Sequence, residues 1–205
     1  MKRLGDEQRA VVRRVLAVVA AMAVGGALVG AGWAFLAPPV HAVIALNKAG
    51  DRLFAYLGND SERLFTSAMI MIGLLGGAGV VAGVLAWQWR RQRGPQMITA
   101  LTLGGLVAAA AATGVGAAVA RLRYGVVDIA TAPVSPENRI HYVMQAPPVF
   151  FGHTPLLIFT TLVVPAAAAA AIYGFMTAAS AYDDLGAGVE SDSAKAAPSV
   201  PESVG

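Results

Sequence analysis

Four long stretches without a charged residue divide this chain. They are Val15–Ala37, Leu64–Trp89, Met97–Ala120 and Leu156–Ala179. At about 1.5 Å per residue the first reaches ~34 Å, enough to cross a hydrocarbon core of about 30 Å. The others are as long or longer. The pattern predicts an all-α membrane protein: a four-transmembrane-helix bundle with two structured external loops and a disordered C-terminal tail. The transmembrane region is then 15–179, with helices at 15–37, 64–89, 97–120 and 156–179. A basic segment, 1–14, precedes it and an acidic tail, 180–205, follows.

The ends of the runs carry their own signals. Trp33, Phe35, Pro38 and Pro39 close the first, with Trp33 expected as an interface anchor. A cleaved signal peptide has an apolar core of only about 7–15 residues, so an uncleaved span is expected here. Asn59, Asp60 and Ser61 precede the second run and are helix-capping residue types. Trp87 and Trp89 end it, where headgroups are expected. The link RRQRGPQ (90–96) is short, which predicts that the second and third helices are antiparallel neighbours. Pro165 lies inside the fourth run, where a missing N–H predicts a kink.

The connecting segments are also patterned. In Pro38–Arg63, Val43, Leu46, Gly50, Leu53 and Leu57 recur at helical spacing. Val43–Ile44 and Leu53–Phe54 widen that stripe. His41, Asn47, Lys48, Asp51 and Arg52 form a polar side. The expectation is a short helix on the membrane surface or on a partner. In Arg121–Pro155, Tyr124–Ile129 and Ile140–Met144 have β-type composition and are expected to pair as a hairpin. The tail from Ser180 is polar and acidic, as disordered segments are.

Charge sets an orientation. The first 14 residues and the 90–96 link carry eight Lys/Arg in 21 residues, against six in the 61 residues of the other two connections. The positive-inside rule places both termini and the short link in the cytoplasm, giving a multi-pass protein of the cell (inner) membrane. Composition agrees: mean hydropathy is +0.62 and only 13% of residues are charged, against roughly 25% in soluble domains. The net charge of +3 does not point to nucleic acid, because the basic residues cluster at the ends of the apolar runs. Without cysteine the chain has no disulfide and no thiolate metal site.

Candidate chemistry is sparse. The central spans hold no Asp, Glu, Lys, Arg or His, the usual markers of a proton relay or ion path. Small residues recur at a spacing of four: Gly26 and Gly30; Gly73 and Gly77; Gly79 and Gly83; Gly104, Ala108, Ala112 and Gly116. In lipid this spacing lets helix backbones approach closely, either within the bundle or against another subunit. His41, His141 and His153 fall on the external side without metal-ligand spacing. The external acids Asp51, Asp60, Glu62, Asp128 and Glu137 show no catalytic pairing. There is no nucleophile elbow and no phosphate loop, and no cofactor is expected. Arg90, Arg91 and Arg93 suit topology control and anionic headgroups of membrane lipids.

The run GWAFLAPPV, Glu62 with Phe65, and RRQRGP together resemble a mycobacterial and wider actinobacterial family of four-helix membrane proteins of unknown function. The resemblance covers roughly Gly32–Ala120 and, more loosely, the last helix. It implies kinship with the lipid uptake coordinator, an accessory subunit of the Mce lipid-import machinery, and so a permease as partner. No catalytic residue comes with it. The expected function is a non-catalytic accessory subunit of a cell-envelope complex. Two alternatives belong to other classes: a small membrane enzyme acting on lipid or wall precursors through 121–155, and an oligomeric transporter or channel.

Overall fold

A computed structural model describes residues 2–89 and 94–180, with side chains from Arg9 onward. The chain runs α1 (Lys2–Leu36), β1 (Val40–Leu46), β2 (Arg52–Tyr56), α2 (Asp60–Gln88), α3 (Pro95–Tyr124), β3 (Ile140–Gln145) and α4 (Pro155–Ala178). All four helices are long and apolar enough to cross a membrane, as in a multi-pass membrane protein. The expected disordered tail and Arg90, Arg91 and Arg93 lie outside the described residues.

Contacts between glycine and backbone hold the bundle together. A methyl group on Gly26 would overlap the Ala108 carbonyl, and one on Gly30 the Ala112 carbonyl. Gly104 receives Met22, while Gly116 meets Trp33 and the Gly30 carbonyl. Ascending positions on α1 meet ascending positions on α3, so these two helices run parallel, backbone against backbone. The second parallel pair is α2 with α4. Added methyls on Gly79 and Gly83 would come within 2.5 Å of the Pro165 carbonyl oxygen and 2.9 Å of that of Ala169. Gly105 closes α3 onto Ala166 of α4. Without water to drive association, such close approach is how helices gain contact in lipid.

Two details differ from expectation. Trp33 is not an interface anchor: it is fully buried, and its indole N–H donates to the Ser67 carbonyl at 2.8 Å. It ties α1 to α2 while it presses on α3. Nor are α2 and α3 close neighbours. α3 lies against α1 and α4, and α2 mainly against α4. With helix axes about 9 Å apart the bundle diagonal is roughly 13 Å, a distance that a link of this length covers easily. At that end, Trp87 meets Tyr173 edge-on at 5.6 Å and the Gly94 amide donates to the Tyr173 hydroxyl at 3.1 Å. Trp89 stays exposed. Helix α4 continues through Pro165 without a break.

The other end carries a sheet, so the fold is not all-α. Its strand order is β2-β1-β3, both pairs antiparallel. The expected surface helix in 38–63 is a hairpin. Val40, Ala42 and Ile44 are completely buried, a period of two that outweighs the helical stripe. Gly50, with φ of +89°, belongs to the turn. There the Asn47 side-chain oxygen accepts from the Ala49 and Asp51 amides at 2.9 and 2.8 Å. The expected pairing of Tyr124–Ile129 with Ile140–Met144 does not form. Gly125 ends α3 with φ of +76°, and β3 pairs with β1 instead.

The packing separates the glycines into two kinds. Gly30→Leu drives a side chain into the α3 backbone, and a loss of about 3 kcal/mol or more is expected. Gly73→Leu enters open space and is expected to leave stability unchanged. Thermal unfolding of the detergent-solubilised variants checks both.

Candidate functional site at the sheet end

The buried serine and threonine hydroxyls of the spans are used locally. Ser67, Thr113 and Thr161 are buried, and each hydroxyl donates to a carbonyl four residues back in its own helix: Arg63, Ala109 and Leu157. None of these bonds crosses between helices. The groups able to do chemistry therefore gather where β1, α2 and β3 meet.

There the structure joins three residues that sequence reading kept apart. Asp60 opens α2 and His41 lies in β1. One Asp60 carboxylate oxygen accepts from the His41 amide at 2.8 Å and sits 2.7 Å from His41 Nδ1. The other accepts from Arg63 Nε at 2.9 Å, and the Arg63 guanidinium also reaches the Pro39 carbonyl at 3.4 Å. The Asp60 side chain is largely buried, at 14% exposed, whereas His41 and Arg63 are each more than two-fifths exposed. Asn59, the residue before α2, makes no capping bond. Asp60 instead clamps the first strand to the second helix. An aspartate fixing one imidazole nitrogen is also how a general base is oriented, but that chemistry needs a nucleophile beside the other nitrogen. Among the described residues His41 has no hydroxyl partner. The local signal for this cluster was Asp60 followed three residues later by Arg63 at a helix start; nothing in the sequence tied either residue to His41.

The second feature is a cavity of about 340 Å³ between β3 and the segment 126–133. Asp128, Thr131, His141 and Tyr142 line it, together with Ile44 and Val126. Asp128 is held in a turn: Oδ1 accepts from the Ala130 amide at 2.9 Å and Oδ2 from the Thr131 hydroxyl at 3.0 Å. These donors, the amide first, hold its carboxyl below the usual carboxylate range. Arg52 donates to the Ile129 carbonyl at 2.7 Å and to that of Ala130, pinning this segment to the far edge of the sheet. Glu137 and His153 do not line the cavity, so of the four acids and histidines Asp128, Glu137, His141 and His153 it brings together only Asp128 and His141. Asp51 pairs with Asn47 in the hairpin turn. Among the described residues no three His, Asp or Glu side chains converge in a way that could hold a metal ion.

The candidate partner glycines divide clearly. Gly26, Gly30, Gly79, Gly83, Gly104 and Gly116 are occupied inside the bundle, whereas Gly73 and Gly77 face open space on α2.

If Asp60 is a clamp, Asp60→Asn and His41→Ala each lower the melting temperature. The double variant then loses less than the sum, because both remove one interaction. For Asp128 the sign follows from its lowered pKa. Its contribution is complete above the ordinary carboxylate pKa and fades as pH falls through the lowered value. Faster hydrogen exchange at the Ala130 amide is expected only in that acid window, and Asp128→Ala should bring the faster exchange to neutral pH.

Comparison with known proteins follows the same outline. Over 162 residues, 78% of this chain and 84% of the relative, the chain is 50% identical to the uncharacterized protein Rv1591 of Mycobacterium tuberculosis. The same figures hold for the uncharacterized protein Mb1617 of Mycobacterium bovis. The uncharacterized protein ML1222 of Mycobacterium leprae is 44% identical over 174 residues, 85% of this chain and 88% of that protein. No solved structure matches. The family model DUF2567, described as a protein of unknown function, matches residues 21–187, from within α1 to beyond α4, and the chain belongs to that family.

Proposed function

We propose that this protein is a non-catalytic accessory subunit of a cell-envelope membrane complex, with both termini and the 90–96 link in the cytoplasm and the sheet outside. One observation carries the reading. The bundle interior is closed by glycine-to-backbone contacts, while one small-residue pair, Gly73 and Gly77 on α2, is left open towards the bilayer. A partner helix lying along that pair would gain the close approach that the other glycines already provide inside the bundle.

The finer proposal is that the complex is an Mce-type lipid (fatty acid) ABC importer and the partner its permease. It rests on the sequence resemblance to the lipid uptake coordinator alone. The subunit would then act by favouring one state of the permease, because a partner that binds one state better shifts the equilibrium toward it. The absence of charge from the central spans and the locally bonded hydroxyls favour this reading over a stand-alone transporter. The engaged carboxylate of Asp128 weighs against an enzyme in 121–155.

Tagged protein, extracted from native membranes in mild detergent at natural expression level, is expected to bring down stoichiometric permease, ATPase and substrate-binding subunits of one importer. Recovery of the chain alone would defeat the proposal. The double variant Gly73→Leu/Gly77→Leu is expected to lose those partners while keeping the melting temperature of the parent.

A further inference from the structure

Segment 126–133 crosses one face of the sheet and leaves a space beneath it. Ile44 pairs with His141, and Ala42 with Val143. Residues opposite one another in a ladder point to the same side, so Ile44, His141 and Val143 share a face. Arg52 pairs with Leu46, two residues on from Ile44, and so belongs to that face too. From there it holds the Ile129 and Ala130 carbonyls. The segment is therefore a strap over this face, and the cavity of about 340 Å³ lies between strap and sheet.

The lining is chemically mixed. Ile44, completely buried, and Val143 give the floor an apolar strip beside His141. Among the described residues the His141 ring has no hydrogen-bond partner, and a neutral imidazole donates at one nitrogen and accepts at the other. The strap contributes Asp128 and Thr131. The Ala130 amide and the Thr131 hydroxyl each bond one Asp128 oxygen and keep the carboxylate ionised at neutral pH. Each oxygen of a carboxylate can accept two bonds, so both retain capacity. Thr131 spends its proton on Asp128, and its oxygen is left as an acceptor. The cavity opens to water beside Val126, which is 79% exposed.

We propose that this cavity is a binding site for a single sugar ring. An anion is repelled by Asp128, and the nearest cation, Arg52, is committed to the strap carbonyls. An ammonium ion satisfies Asp128 but has no acceptor for a His141 N–H. A hydroxyl both donates and accepts. Several hydroxyls on one ring reach Asp128, Thr131 and His141 together, while the ring's C–H groups cover Ile44 and Val143 and remove them from water. The volume stands near the lower end of the range of small-molecule sites, about 300–1,000 Å³, and so suits one ring rather than a long oligosaccharide. The ring is the recognised unit, whether free or carried on a lipid headgroup. The site belongs to the sheet, and its occupation depends neither on the α2 docking face nor on which side of the membrane the sheet stands.

The test uses the full chain, methyl-labelled at isoleucine and valine, in lipid nanodiscs that leave both membrane faces open. The methyl glycosides of glucose, galactose and mannose are titrated in, and the Ile44 and Val143 methyl resonances are followed by NMR. At least one glycoside is expected to shift both resonances saturably, with half-saturation at about 1–10 mM. A second arm uses nanodiscs doped with glucosyl and galactosyl diacylglycerol. Shifts in that arm alone assign the ring to a lipid headgroup, and shifts with the soluble glycosides assign it to the sugar by itself. Asp128→Asn keeps an acceptor in the turn, and His141→Phe keeps a ring on the floor. Each is expected to weaken binding about tenfold or more, as loss of a hydrogen bond to a charged or buried group does. No shift in either arm overturns the proposal, as does unchanged affinity in either variant. Equal shifts with cyclohexanol overturn it in favour of an apolar pocket, and equal shifts with choline chloride or inorganic phosphate in favour of an ion site.

Discussion

The contact of Gly26 and Gly30 with the carbonyls of Ala108 and Ala112 sets the rest of the architecture. It brings α1 and α3 together in parallel at a distance that no larger side chain permits. Once these helices touch, Trp33 has nowhere to go but inward. There its indole N–H finds the Ser67 carbonyl and draws α2 to the same joint. The second parallel pair then closes along Gly79 and Gly83, with Gly105 bridging the two pairs at Ala166. In a bilayer, where apolar contact with a helix and with lipid are nearly equivalent, fit between backbones decides which helices pair.

The same geometry positions the sheet. α1 and α2 meet through Trp33, so their joined ends are close, and Val40–Tyr56 folds back between them as a hairpin. Asp60 then fixes the start of that hairpin to α2 through the His41 amide and ring, while Arg63 neutralises the carboxylate. β3 arrives from the other half of the chain and adds to the free side of β1. The sheet is thus built from both halves and stands on ionic and hydrogen-bonded contacts, in contrast to the uncharged bundle beneath it.

The spans were legible because length and hydropathy are properties of single segments. What the glycines do inside the bundle was legible as a type of contact, but not as pairs of residues. The sequence shows spacing and not which helix faces which, and the short 90–96 link suggested the wrong neighbours. Pro38–Arg63 was misread because two periods coexist there. Val43, Leu46 and Leu53 follow a helical stripe, whereas Val40, Ala42 and Ile44 follow a strand. Burial of the second set chose the strand, and burial depends on β3, nearly a hundred residues further on. The Asp60–His41–Arg63 cluster was hidden for the same reason: its pairing exists only once the hairpin has formed. Trp33 was assigned to the surface by its position at the end of a run, and a hydrogen-bond acceptor on another helix placed it inside.

The interleaving of the two halves has a consequence for biogenesis. Each parallel pair takes one helix from the first half of the chain and one from the second. As the ribosome delivers the chain from its N-terminus, α1 and α2 enter the bilayer before the partners that will hold them exist. Each must wait as a separately stable span, which their unbroken apolar stretches allow. The glycine faces of α1 stay open to lipid until α3 arrives, and α2 lacks its main support until α4 is complete. Assembly is therefore late and stepwise: the first pair closes when α3 arrives and the second only after the last helix is inserted, so a chain interrupted after α3 would leave the Gly79–Gly83 face without its partner.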